Sequence, residues 1–238
     1  MKTFLRLLSV LAAAYLSFFR LSDRHPPPNV PARGISAYAA VSDLASTSSG
    51  CALDPNFEPV FHTARGQVQW VFHDLALAAG NDPDSYSIEL MQDRRGYRAI
   101  NAMTCTASRV IWLSVTAWDR LSDNEPALAL LLAHELAHAD HRNPALLKND
   151  PMTDAERHLL GQLTLRQLEE IAADHRAADL MVLAGYSIAE INQASRFILA
   201  DGGALAFSGA TQTHPAGRDR ANLMTFYLGR KMLTQFSR

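Results

Sequence analysis

The sequence predicts an α+β fold, mostly helical, with a small mixed or antiparallel sheet beside its longest-patterned helix. Three observations predict it: apolar residues at helical spacing over Val60–Ala79, three short strand-like runs between residues 86 and 114, and long helical patterns beyond them. At 238 residues, with 48% hydrophobic content and a formal net charge of −2, the chain is long enough for one well-buried domain. So slight a charge sets up no strong field of either sign, which argues against nucleic acid as a partner. No internal repeat is visible.

Residues 1–24 read as a signal peptide or an N-terminal membrane anchor. Lys2 and Arg6 precede an apolar run from Leu7 to Phe19, which Arg20, Asp23 and Arg24 close. A run of about thirteen apolar residues suits a secretory signal and falls short of the ~20 that a spanning helix needs. With Arg6 and Arg20 snorkelling, Phe4 to Leu21 would serve instead as an uncleaved anchor. Either reading implies export to the periplasm or cell envelope, with membrane contact through this segment only. Residues 25–58 open with His25-Pro26-Pro27-Pro28, are rich in Pro, Ser and Ala, and read as a tether; residues 59–238 are the expected domain. Cys51 and Cys105 can pair in an oxidising compartment, and the sequence leaves open whether they do.

Within the domain, Val60, Phe61, Val68, Val71, Phe72 and Leu75 mark the first helix, which Gly80-Asn81 stops. Asp82-Pro83-Asp84 is a turn. Strands are expected at Tyr86–Met91, Tyr97–Met103 and Arg109–Ser114, the first two joined by a hairpin loop at Asp93-Arg94-Arg95-Gly96. The next helix takes Asp123 or Asn124 as cap and Pro126 in its first turn, and runs through His134 and His138 towards Asn143-Pro144. Further helices are expected over Thr164–Ala184, ended by Gly185, over Ser187–Ala200 and over Pro215–Arg230.

His134-Glu135-Leu136-Ala137-His138 is the residue pattern with the most chemistry in it. On a helix, positions four apart lie one turn apart on the same face, so both imidazoles can hold one metal ion. Glu135 would then serve as general base towards a water acidified by that metal. The turn before it, Leu128 to Ala133, is wholly apolar, so the histidines emerge from a buried element, where unpartnered polar groups would be costly. A catalytic zinc takes three protein ligands. A third histidine six residues after His138 is excluded by Pro144, and His141 reads as a helix-end histidine favoured by the dipole. Glu170-Ile171-Ala172-Ala173-Asp174 offers a carboxylate ligand with an aspartate one turn later to orient a ligand imidazole. Glu169 and His175 are rival ligands beside it, and spacing alone does not decide among them.

With these motifs in place, the chain resembles the HtpX, BepA and CAAX prenyl-protease family of zinc metallopeptidases, family 48 of the gluzincin type. Four segments carry the likeness: Leu131 through Ala139, Glu170 through Asp174 with Leu183-Ala184-Gly185-Tyr186, the pair Asn101-Ala102, and Thr213-His214-Pro215 with Arg220. The resemblance implies a zincin-like metallopeptidase domain with one zinc per chain on His134, His138 and Glu170. It favours Glu170 over Glu169, and it implies that the edge strand near Asn101 and Ala102 aligns an extended substrate. It carries His214 over as a catalytic residue near the zinc, stabilising the oxyanion or touching the metal, with Asp174 and Arg220 behind the ligands. The multiple membrane spans of two branches of the family are absent, which favours the exported BepA-like branch. The expectation is a zinc endopeptidase of the cell envelope acting on unfolded or misassembled proteins. The alternative is a zinc-stabilised, chaperone-like binding protein with little turnover.

Overall fold

The computed structural model describes residues 53–60, 66–139, 147, 152–200, 211 and 213–236. The expected leader, most of the tether, Cys51, His141 and the Asn143-Pro144 stop lie outside these residues. The described residues fall in one compact unit, Thr47–Arg238. In chain order they form β1 (Phe57–Val60), α1 (Gly66–Ala78), β2 (Ser87–Asp93), β3 (Ala102–Cys105), β4 (Val110–Ser114), α2 (Val115–Leu121), α3 (Glu125–Ala139), α4 (Asp154–Gly161), α5 (Leu165–Leu183), α6 (Ile188–Ser195) and α7 (Gly217–Phe236). This is a mixed α+β arrangement, dominated by helices around one four-stranded mixed sheet. No helix among the described residues is long and apolar enough to cross a membrane.

The sheet runs β1-β2-β4-β3: β2 is parallel to β4, while β1 and β3 are antiparallel to their neighbours. This corrects two expectations. Val60 does not begin a helix; it closes β1, opposite Leu90 of β2, where a β-branched residue suits the pleat. That strand also straddles the expected start of the domain. Nor does the turn at residues 93–96 join paired strands. Asp93 Oδ1 accepts the Arg95 N–H at 2.8 Å and Gly96 takes φ +77°, so a local turn does form. The chain then leaves the sheet, and residues 97–101 run outside it before β3. Ser114 holds that segment: its hydroxyl accepts the Asn101 and Ala117 N–H groups and donates to Ala99 O. The hairpin in the sheet is β3–β4, turned at Arg109 with φ +52°.

Helix α3 packs along α5 and also meets α1, α6 and β3. Its Leu128, Leu132 and Leu136 are fully buried, each contributing roughly 2 kcal/mol of apolar burial. Asn124 is its cap, accepting the Ala127 N–H through Oδ1. Two short helices, α2 and α4, were not anticipated; Ser114 caps the first and a Thr153–Glu156 capping box opens the second. Helix α6 widens into a π-helical turn over Arg196–Ala200. Gly217 opens α7 against that turn, because a Cβ there would fall 2.1 Å from the Leu199 carbonyl oxygen. Cys105, at the end of β3, is disulfide-bonded.

Candidate metal centre

Two helices present the ligand set. His134 and His138 lie on one face of α3, and Glu170 lies on the facing side of α5, all three at least partly buried. One ligand atom from each lies within 4.8 Å of the others. His134 Nε2 and His138 Nε2 are 3.0 Å apart, with the rings nearly perpendicular. Glu170 Oε2 is 3.4 Å from the first and Glu170 Oε1 is 3.5 Å from the second.

These separations fit a metal ion. Donors bound at about 2.0–2.1 Å around a tetrahedral ion lie roughly 3.3 Å from one another. Glu170 Oε2 is buried without a formed hydrogen bond, an orphaned acceptor facing two ring nitrogens. Two imidazoles and a carboxylate form a donor set suited to zinc and to its neighbours in the first transition row.

The groups behind the ligands form a relay of charge. Asp174, one turn beyond Glu170, brings Oδ1 to 3.0 Å from His134 Nδ1, at an angle short of a formed hydrogen bond. Arg220 of α7 grips the same carboxylate with two hydrogen bonds of 2.8 and 2.7 Å. Its other nitrogen stands 3.9 Å from Glu170 Oε2. Burial pushes the Asp174 carboxyl up, but Arg220 outweighs it and holds the group well below the usual range. Burial likewise opposes a charge on His134, yet Asp174 and Glu170 prevail and raise it to about 9. His138, buried beside a charged His134, falls to about 4. These neighbours thus favour a positive charge on His134, the ring nearer Asp174, over one on His138.

Glu135 is buried next to the ligands, and burial raises its carboxyl above the ordinary range. Thr104 of β3 reaches it: the Thr104 Oγ1 lies 2.8 Å from Glu135 Oε2 and 2.9 Å from the Glu135 carbonyl oxygen. His214 also joins the group, its Nε2 lying 3.3 Å from Glu170 Oε2. The loop carrying it is anchored from α5, where the buried Gln167 donates to Thr211 O at 2.8 Å. Thr211 Oγ1 accepts the His214 N–H, and Thr213 Oγ1 lies 2.8 Å from His214 Nδ1.

The rival ligands point elsewhere. The Glu169 side chain is 38% exposed, 3.4 Å from Arg166. His175 is buried on another face of α5, stacked on Tyr227 at 4.1 Å. Asn101 precedes β3 and Ala102 opens it. Asn101 lines a cavity of about 630 Å³ together with Tyr97, Arg98, Ser114 and Asp119, and no metal ligand lines it. Sequence reasoning missed Thr104; the only signal for it was its place two residues beyond Ala102, on the same face of the strand. No family model matches the chain, and no curated protein matches it. The class defined by the geometry alone is a candidate metal centre of two imidazoles and one carboxylate, backed by an aspartate–arginine pair.

Proposed function

We propose that this chain is a zinc-dependent endopeptidase of the zincin type, related to the HtpX, BepA and CAAX prenyl-protease family. The observation that carries the reading is the convergence of His134, His138 and Glu170 with a buried, non-ligating Glu135 beside them. A purely structural zinc has four protein ligands and no use for an adjacent base. When bound, zinc polarises a carbonyl and acidifies water. Glu135 takes a proton from the attacking water at its carboxylate and delivers it to the departing amine. His214 donates towards the developing oxyanion, a role supported by its Nε2 lying 3.3 Å from the ligand Glu170. Asp174 orients His134, and Arg220 keeps Asp174 charged. An extended chain pairs with the open edge at β3 and continues into the cavity beside Asn101. Recognition by backbone favours unfolded or misassembled proteins as substrates. The leader-like residues 1–24 favour the periplasm or cell envelope as the place of action, with membrane attachment through residues 4–21.

The test is metal analysis together with casein cleavage, comparing wild type with Glu135→Gln. One zinc per chain in both, with cleavage by wild type alone, is the expected result. Zinc in both with cleavage in neither would favour the zinc-stabilised binding protein. Purified wild type that takes up no zinc would end the reading.

A further inference from the structure

Thr104 has its hydroxyl on Glu135 and its main chain on the open edge of the sheet. The second point follows from register. Ser114 N–H donates to Asn101 O at 2.8 Å just before β3 begins, where the register sets Asn101 opposite Ser114 in the phase of a bonded pair. Bonded and non-bonded pairs alternate along such a ladder. Met103 therefore bonds across to Trp112, while Ala102 and Thr104, opposite Leu113 and Ile111, turn their N–H and C=O groups away from β4. Among the described residues β3 is an edge strand, so those groups face no neighbouring strand. Asn101 is different: its N–H and C=O are both committed to Ser114.

We propose that Thr104 is a positioning residue that couples a peptide laid on the β3 edge to the carboxylate of Glu135. The proposal rests on the reading of Glu135 as general base. A peptide pairing with the outward main-chain groups of Thr104 fixes the strand, and through the hydroxyl it fixes the base 2.8 Å away.

The hydroxyl suits both states of that base. It has one hydrogen and two acceptor oxygens of Glu135 within reach, so it donates to one at a time. While Glu135 is a carboxylate, Thr104 donates to Oε2. Oε1 is left to take the proton of the attacking water and pass it on, while the Thr104 hydroxyl keeps donating to Oε2. No proton passes to threonine, and the carboxyl group keeps its place across the transfer.

Thr104→Val keeps the branched shape and the edge main chain but removes the hydroxyl; Thr104→Ser keeps the hydroxyl. In the zinc-loaded protein with casein as substrate, the valine variant should lose about tenfold in rate at saturating casein, with the half-saturating concentration and zinc content little changed. The serine variant should stay within about threefold of wild type. Thr104→Ala gives the same reading should valine disturb the contact with α3. A separate readout needs no activity: a double-mutant cycle of Thr104→Val with Glu135→Ala, followed by denaturant unfolding. It should show non-additivity of roughly tenfold in the unfolding constant, the size expected for a hydrogen bond to a carboxylate. Additive unfolding effects, or valine and serine variants of equal rate, would overturn the proposal while leaving the peptidase reading in place. A coupled cycle in a protein whose wild type cleaves nothing would retain the contact and remove the positioning role together with the peptidase reading.

Discussion

Helix α7 holds two arginines that reach buried carboxylates, and only one of them serves the ligands. Arg220, in the first turns, is bonded twice to Asp174 of α5. Arg230, nearly three turns on, meets Glu156 of α4. Both acids are buried and both are held below their ordinary range. They differ in what else they touch. Glu156 turns back to its own helix start, accepting the Thr153 N–H at 2.9 Å and lying 3.0 Å from its hydroxyl. Asp174 instead faces His134 at 3.0 Å. A buried ion pair is thus ordinary architecture in one place and part of the metal centre in the other, and the second neighbour of the acid decides which.

Substitution tests that distinction most strongly at Asp174. Asp174→Ala removes both hydrogen-bonded partners of the buried Arg220, leaving only the Glu170 carboxylate 3.9 Å away, and should cost about 3–5 kcal/mol of stability. It should also weaken zinc binding by about 10–100-fold, read by competition with a chromophoric chelator. Unchanged zinc affinity would erase the difference between the two pairs.

Metal removal comes next in size. With free zinc at about a thousand times its dissociation constant, the loaded protein should be about 4 kcal/mol more stable than the stripped one. The difference should vanish in His138→Ala, as read from thermal melts with and without chelator.

Glu156→Ala should be milder and should spare the metal. It removes a capping box, worth about 1 kcal/mol, and leaves a partly exposed arginine unpaired, for a total of about 1–3 kcal/mol. Zinc affinity should match wild type, and a drop of tenfold would break the comparison from the other side.

The smallest effect is that of acid. Burial raises the Glu156 carboxyl, but Arg230 and Thr153 outweigh it and lower the group overall. Its contribution is therefore present above its unfolded value, near ~4.3, and is lost as pH falls through the lower folded value. Denaturant midpoints of metal-free wild type and Glu156→Gln should differ at pH 6 and converge as the pH drops below ~4.

What the sequence made legible was whatever a helix repeats locally. A 3.6-residue period places His134 and His138 on one face without any knowledge of the fold, and the structure brings them together with Glu170. Glu170 itself needed more than spacing, because Glu169 and His175 carry the same local credentials and are separated only by the face that α5 turns towards α3. The sheet was legible as strands but not as an order. The residue 93–96 turn has genuine turn chemistry, yet the partner of β2 is decided by Ser114 tying down residues 99 and 101 from across the sheet. Thr104 was out of reach for the same reason: its contact with Glu135 spans 31 positions and leaves no periodic trace. The short helix α2 escaped because its cap, Ser114, sits where the pattern reads as a strand end, and α4 because it is only eight residues long.

The centre is assembled from α3, then α5, then α7, in the order in which the chain is made. A nascent copy therefore exposes His134, His138 and Glu170 before Arg220 exists to steady Asp174. Gly217, where α7 begins, lies against the Leu199 carbonyl, an approach too close for any side chain. A chain cut short before α7 would thus keep every ligand and lack the arginine that steadies the aspartate behind them.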